Sequence, residues 1–372
     1  MTVEKAPTEK QNPLTVVKLL WCGQGMTALV EIYNDGVEKA EADFLGLVNC
    51  GGDRDVANGA LDYITRKVEA RHRKLLNLVV LTRLDKSHTG LLGDLGGRLK
   101  RIDTDVLYAF VAGRKESVPD DVRAFLVGLG YQRSNVGFAA ENENNYLHGR
   151  RGSLGWLTEH NGTYFRILAS GPDSTVLVVD NGRFSVVMPG ELTYQIMSDV
   201  RKIANLRNLL PPVLAFVLPN DRTLATAVRN HLQSPSAKDD RGWKLINWFA
   251  NAVSPQNIGV SAGPSNPDRH PIAEVIELFV DALAKDTEHT YVSFVLPKPG
   301  GTGGDPAGWV TRTTEFGIRS TVQALGQQVR FGDVEYRFTL RPLPAEEPVA
   351  FAPRGTSGLH GPDEAVVRAP EP

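Results

Sequence analysis

Apolar and polar positions first fall into a strand rhythm at Leu14. The run Leu14-Thr15-Val16-Val17-Lys18-Leu19-Leu20-Trp21-Cys22 is followed by Thr27-Ala28-Leu29-Val30-Glu31-Ile32-Tyr33, and Gly23-Gln24-Gly25 lies between them. This is a hairpin-like arrangement. A third β-rich run, Phe44-Leu45-Gly46-Leu47-Val48-Asn49-Cys50, closes on Gly51-Gly52. From Asp55 to Lys74 the spacing turns helical, with Leu61, Ile64 and Val68 on one face. Arg66, Lys67, Arg71, Arg73 and Lys74 gather near its end, where the helix dipole favours cations, and they read as a solvated face. Leu75 to Leu81, apolar at every position but Asn77, reads as one continuous strand buried on both faces.

The alternation continues downstream. Strands are predicted over 106–111, 164–168, 175–179 and 184–188, the last two joined by the turn Asp180-Asn181-Gly182. Helices over 120–129, 194–206, 224–232, 243–253 and 272–284 alternate with strands over 213–218, 257–261 and 291–296. Two halves, each with strands followed by helices, predict a layered α/β sandwich. Residues 1–12 read as a disordered lead and 13–296 as the main domain. Residues 297–341 read as a Gly-rich loop plus a small β appendage, with β-like pieces at 309–314, 318–323 and 334–340. The tail, 342–372, is rich in Pro, Ala and Glu and is expected to be disordered.

Composition narrows the function classes. A formal net charge of −2 over 372 residues creates no global field for nucleic acid or an anionic membrane. No stretch approaches the ~18 apolar residues of a membrane span, and residues 1–13 have no apolar signal core. The expectation is a cytoplasmic protein. Cys22 and Cys50 sit in apolar runs and are expected as buried free thiols. Gly300-Gly301-Thr302-Gly303-Gly304 has no Lys-Ser/Thr after it and is not a phosphate-binding loop. The polar stretch from Glu141 to Asn145, beside Tyr146, Arg150 and Arg151, reads as an exposed insertion suited to a partner.

The candidate chemistry begins where the strand ending at Leu81 runs into Thr82-Arg83-Leu84-Asp85-Lys86-Ser87-His88-Thr89-Gly90. This segment resembles the metal-binding loop of the metallo-β-lactamase superfamily, Thr/Ser-His-x-His/Asp-x-Asp-His. Further landmarks occur in the family's order across roughly residues 14–296. Gly23-Gln24-Gly25-Met26 is similar to the Gly-Gln-Gly-Asp start of the branch related to bacterial competence proteins. Leu47-Val48-Asn49-Cys50-Gly51 is similar to its Ile-Asp-x-Gly strand end. Val186-Val187-Met188-Pro189-Gly190-Glu191 resembles the unit whose terminal Asp bridges the metals. Pro219-Asn220-Asp221-Arg222-Thr223 resembles the Pro-His-His-Gly-Ser loop, and Arg269-His270-Pro271 the late His-Pro element.

The resemblance implies an α/β fold, a metallo-β-lactamase-like αββα sandwich. It also implies a hydrolase site of one or two zinc or manganese ions on about five His and Asp side chains. Here Arg83, Ser87, Asn220 and Asp221 stand in slots that usually hold His, Asp, His and His, and Asn49 stands in an Asp slot. Asp85, His88 and Glu191 retain ligand chemistry, with Asp221 a further candidate. Arg83 is a fixed cation that opposes a dication and suits pairing with Asp85 or Glu191. His270 reads first as part of a helix start, with a cleft contact as the second reading. The expectation is a pseudo-hydrolase: a binding, scaffolding or regulatory component of a bacterial multi-protein system, with no cofactor. The alternative is an atypical metal-dependent phosphodiesterase or nuclease, with zinc or manganese on the reduced site.

Overall fold

The computed structural model describes residues 12–129, 136–139, 155–203, 206–219, 222–233, 241–261, 273–282, 291–294, 328–331, 334–339 and 365–368. The first half contains β1 (Leu14–Leu19), β2 (Thr27–Tyr33), β3 (Phe44–Cys50), α1 (Asn58–Glu69), β4 (Leu75–Leu76) and β5 (Leu78–Leu81). It continues with α2 (Lys86–Thr89), α3 (Leu92–Arg101), β6 (Asp105–Val106), β7 (Ala109–Val111), α4 (Asp120–Gly128) and β8 (Val136–Phe138). The second half opens with β9 (Gly155–His160), β10 (Thr163–Ser170), β11 (Thr175–Asp180), β12 (Ser185–Pro189), α5 (Tyr194–Lys202) and α6 (Leu206–Leu209). Then come β13 (Val213–Leu218), α7 (Arg222–Gln233), α8 (Arg241–Val253), β14 (Asn257–Val260), α9 (Ala273–Asp281) and β15 (Tyr291–Phe294). β16 (Gln328–Phe331), β17 (Val334–Thr339) and β18 (Ala365–Arg368) complete the described elements.

Two eight-stranded sheets result, with orders β18-β17-β1-β2-β3-β5-β7-β8 and β16-β15-β14-β13-β12-β11-β10-β9. Each is antiparallel where hairpins join neighbours, as in β1-β2-β3 and β9-β10-β11-β12. Each is parallel where a helical crossover intervenes, as in β3-β5-β7 and β12-β13-β14. Parallel neighbours require such long connections, and helices supply them.

Three apolar clusters define the layers. One lines the space between the sheets and includes Val17, Leu19, Val48, Phe165, Leu177, Val186 and Leu214. A second joins the other face of the first sheet to α1, α3 and α4 through Leu47, Leu61, Ile64, Leu95 and Phe125. A third joins the second sheet to α5, α7, α8 and α9 through Val187, Ile196, Phe216, Leu224, Phe249 and Phe279. The order is therefore helix, sheet, sheet, helix. Every residue of β1, β2 and β3 is buried because both faces are covered, which is why these strands read as near-continuous apolar runs.

Several details depart from the sequence pattern. The apolar run Leu75–Leu81 breaks at Asn77, whose Oδ1 accepts bonds from the Leu45 amide at 2.9 Å and from Arg71 Nη1 at 2.7 Å. Leu75-Leu76 then pairs with β6 in a separate two-stranded sheet, while Leu78–Leu81 joins the main one. The helix expected over 55–74 is shorter, Asn58–Glu69. Within the tail expected to lack structure, Ala365–Arg368 forms a parallel strand beside β17; Val366 and Val367 supply β-branched residues there. The C-terminal β portion is carried at the sheet edges: β16 extends the second sheet and β17 pairs with β1. The β-like pieces at 309–314 and 318–323, and the insertion 141–151, lie outside the described residues.

A charged network closes the β17–β1 seam. Lys18 Nζ meets Glu335 Oε1 at 2.8 Å with both side chains almost fully buried. Arg337 pairs with Glu335 and Glu38, and Lys67 with Glu31 at 2.7 Å. The hydroxyls of Tyr63 and Tyr33 donate to the same Glu31 carboxylate. Burial opposes ionisation of Glu335, but Lys18 and Arg337 outweigh it and hold its carboxyl below the ordinary range.

Candidate functional site

Strand-end loops of both sheets meet at one place. Their backbones approach too closely for side chains. A Cβ at Gly51 would lie 1.9 Å from the Ser87 carbonyl oxygen, and one at Gly25 would lie 2.5 Å from the Gly52 nitrogen. At Gly190, after β12, a Cβ would lie 2.3 Å from the Thr82 carbonyl oxygen. Backbone bonds fasten the same contacts. The Met26 amide donates to Ser87 O at 2.8 Å, the Gly51 amide to Met26 O at 3.1 Å, and the Thr175 amide to Thr82 O at 2.9 Å. Ser261, following β14, donates its hydroxyl to Gly25 O at 2.5 Å. The glycine frame seen in the sequence is thus what lets the loops converge.

Asn49 is the fully buried floor of this place. Its φ of 57° is a left-handed conformation that Asn tolerates better than most residues. Its Oδ1 accepts the Thr82 amide at 2.8 Å, and its Nδ2 donates to Thr82 Oγ1 at 2.8 Å. Nδ2 also lies 3.4 Å from Met26 Sδ. The Asn49 side chain is occupied with its neighbours and ties β3 to the loop after β5.

Above it, Arg83 joins two carboxylates. Its Nε lies 2.6 Å from Asp85 Oδ2 and its Nη1 3.0 Å from Glu191 Oε2. The other oxygen of Asp85 accepts Ser87 Oγ at 2.5 Å and His88 Nδ1 at 2.8 Å. His88, at the end of the four-residue helix α2, is buried to 3% side-chain exposure, while Asp85 keeps 38%. Glu191 is fixed through its backbone: its amide donates to Ser174 Oγ at 2.6 Å. Arg83 and Ser174 also form an isolated antiparallel bridge between the two sheets. Burial raises the cost of charging Asp85, but the bonds from His88 and Ser87 and the nearby Arg83 guanidinium outweigh it. Its carboxyl is held well below the ordinary carboxylate range.

Of the residues singled out in the sequence, Arg83, Asp85, Ser87, His88 and Glu191 therefore come together, with Asn49 beneath them. Asn220, Asp221 and His270 lie outside the described residues. Thr82 and Ser174 hold the floor and the Glu191 backbone, roles that sequence reading missed. The signal was present for Thr82, which opens the recognised loop segment, while Ser174 stands just before the strand predicted over 175–179. Cys22 and Cys50 are buried free thiols, and burial pushes the Cys50 thiol upward.

Among the described residues, the donors that come together, Asp85, His88 and Glu191, do not fit a divalent cation as they stand. Both Asp85 oxygens and His88 Nδ1 are engaged within the chain, and a guanidinium stands between the two carboxylates. Among the described residues no group of three or more His, Cys, Asp or Glu side chains is placed to hold a metal ion. Arg83 neutralises the charge that a dication would otherwise neutralise.

No family model matches the chain, and no curated protein matches it. Among solved structures, it is similar to the metallo-β-lactamase fold protein YhfI from Bacillus subtilis, at 10% identity over 76% of this chain and 96% of that one, with a TM-score of 0.41. It is similar to Igni18, a metallo hydrolase from Ignicoccus hospitalis, at 13% identity over 87% and 98%, with a TM-score of 0.37. The short form of human tRNase Z gives 10% identity over 67% and 92%, with a TM-score of 0.39. No helix among the described residues is long and apolar enough to cross a membrane. With helices outside two facing mixed sheets, and with the loops after β3, β5 and β12 meeting at one place, the chain is an αββα sandwich, the architecture that the sequence resemblance implies.

Proposed function

We propose that this chain is a metallo-β-lactamase-fold protein whose hydrolytic metal site has been replaced by an ion-paired plug. It acts as a binding, scaffolding or regulatory component, with a protein partner in a bacterial multi-protein system. The observation that carries this reading is Arg83, bonded to Asp85 at 2.6 Å and to Glu191 at 3.0 Å. A catalytic ion in such a cleft needs at least three protein donors free to face it, and Asp85, His88 and Glu191 instead face Arg83 and one another. A retained fold with altered site chemistry favours a role in binding over one in turnover.

The test is elemental analysis of protein purified without chelator, alongside thermal unfolding with and without chelator. The expected result is no stoichiometric metal and an unchanged unfolding midpoint. Stoichiometric zinc or manganese that disappears in an Asp85→Ala/His88→Ala variant would overturn the reading and establish the reduced-site hydrolase. Arg83→His sharpens the test, because it removes the cation and supplies an imidazole in the slot. That variant is expected to gain zinc affinity at least tenfold over the native chain (about 1.4 kcal/mol).

A further inference from the structure

We propose that the outer flank of α5 and α8 is a docking surface for an acidic, amphipathic segment of a protein partner. Two contacts place these helices. A Cβ at Gly242 would lie 2.8 Å from the Tyr194 hydroxyl oxygen, so the first turn of α8 lies against the first residue of α5. About two turns on, the Arg201 guanidinium sits 5.7 Å from the centre of the Trp248 ring, within reach of a cation–π contact. The helices therefore run side by side in the same direction and bring their amino ends together. That shared end begins three residues after Glu191, beside the ion-paired cleft.

The flank is apolar along its seam and cationic around it. Tyr194 is 42% exposed. Leu245 and Trp248 are half-buried, with their inner sides packed on the core cluster beneath. Arg201, Arg241 and Lys244 are exposed. Positions 241, 244, 245 and 248 recur at helical spacing and share one stripe of α8, while Ile246, Phe249, Ala250 and Val253 are buried on the other. α8 contains no carboxylate, and the single one on α5, Asp199, is paired with Lys202 at 2.8 Å. Acidic residues gather instead on α9, which carries Glu274, Glu277 and Asp281 and packs on α7 and α8. The α5–α8 flank is thus locally positive in a chain of net charge −2.

Tyr, Trp and Arg are the side chains enriched where proteins meet. Cations around an apolar seam select a partner of opposite charge and steer its approach, and the paired amino ends of two helices add positive potential. An amphipathic segment fits by laying its apolar residues into the seam and its carboxylates toward the cations. This gives the binding role proposed above its partner chemistry, and the biological use of the surface rests on that reading.

The experiment uses the full chain and a short fluorescent peptide of Glu-Glu-Leu-Trp repeats. One control peptide has Lys for each Glu, and another has Ser for each Leu and Trp. Arg201→Glu/Lys244→Glu reverses two exposed charges, and circular dichroism with the unfolding midpoint establishes that the variant remains folded. The acidic peptide is expected to bind saturably, more weakly as salt rises, and roughly tenfold or more weakly to the charge-reversed variant. Both control peptides are expected to bind more weakly than the acidic one. Absence of saturable binding, binding unchanged by the charge reversal, or equal binding of either control overturns the surface. Tighter binding of an oligothymidylate or of phosphatidylserine vesicles, lost in the same variant, overturns the acidic peptide as its occupant. Metal content is measured on the same preparations. Stoichiometric metal beside intact peptide binding overturns the plug and leaves this surface standing, whereas metal-free protein that binds no peptide overturns the surface and leaves the plug.

Discussion

Arg83 uses different edges of its guanidinium for Asp85 and Glu191, and lysine has no equivalent fork. Arg83→Lys is therefore expected to retain the charge while losing one of the two bonds. Asn49 is more exacting. Its side chain satisfies the Thr82 amide from a left-handed backbone position, so Asn49→Ala strands a buried donor and adds backbone strain. The expected cost is about 2–4 kcal/mol, measured by denaturant unfolding. Asp85 gives a pH signature. Its folded-state value lies below the ~3.9 of an unfolded aspartate, so on acidification the unfolded chain takes up this proton before the folded chain does. Its contribution is present above about pH 4 and is lost below it. The difference in unfolding midpoint between the native chain and Asp85→Asn should therefore be present at pH 6 and shrink steadily from pH 4 downward. A difference that grew on acidification would contradict the assignment. The chemical character of these residues was legible in the sequence, including the suitability of Arg83 for either carboxylate. That it meets both at once depends on Ser174 and Gly190 bringing a strand of the second sheet to it, which no local pattern states.

At the scale of elements, the glycines decide how closely loops approach. Gly51→Ala puts a methyl into the Ser87 carbonyl and is expected to cost 3 kcal/mol or more, on the order of a severe core clash. Thermal unfolding checks it, and Gly93→Ala on α3 is the control, because nothing lies within 4 Å of a Cβ there. Gly93 also explains a miss. Helix α3 is not among the helices predicted from the sequence pattern, and Gly93, Gly96 and Gly97 lower its propensity; yet Leu92, Leu95 and Leu99 recur at helical spacing and are buried. Tertiary burial decided what propensity did not. The Asn77 break is a different case: one polar side chain, bonded to Leu45 and Arg71, redirects half of an apolar run. At the β17–β1 seam, Lys18→Met removes one partner of a buried pair and is expected to cost roughly 3 kcal/mol. Lys18→Met/Glu335→Leu should recover part of that loss. A double-mutant cycle reports the coupling.

For the whole molecule, the layered sandwich follows from the alternation of strand and helix patterns, and the three apolar clusters realise it. Strand order is less legible. The strands beside β1 come from positions 334–339 and 27–33, and nothing local to residue 14 announces a partner more than three hundred residues away. The family landmarks occur in order through roughly residue 296, where the resemblance stops, but they state no strand order. Beyond it, the edge positions of β16, β17 and β18 are set by which sheet edges remain open.

The meeting of loops beneath the cleft also has a kinetic meaning. The amides of Met26, Gly51 and Leu91 bond to Ser87, Met26 and Cys50, so each segment is held by another and none can open alone. Hydrogen exchange should show these amides among the slowest in the chain, released only with global unfolding. The surface of the cleft would then vary in its side chains while its backbone kept time with the core.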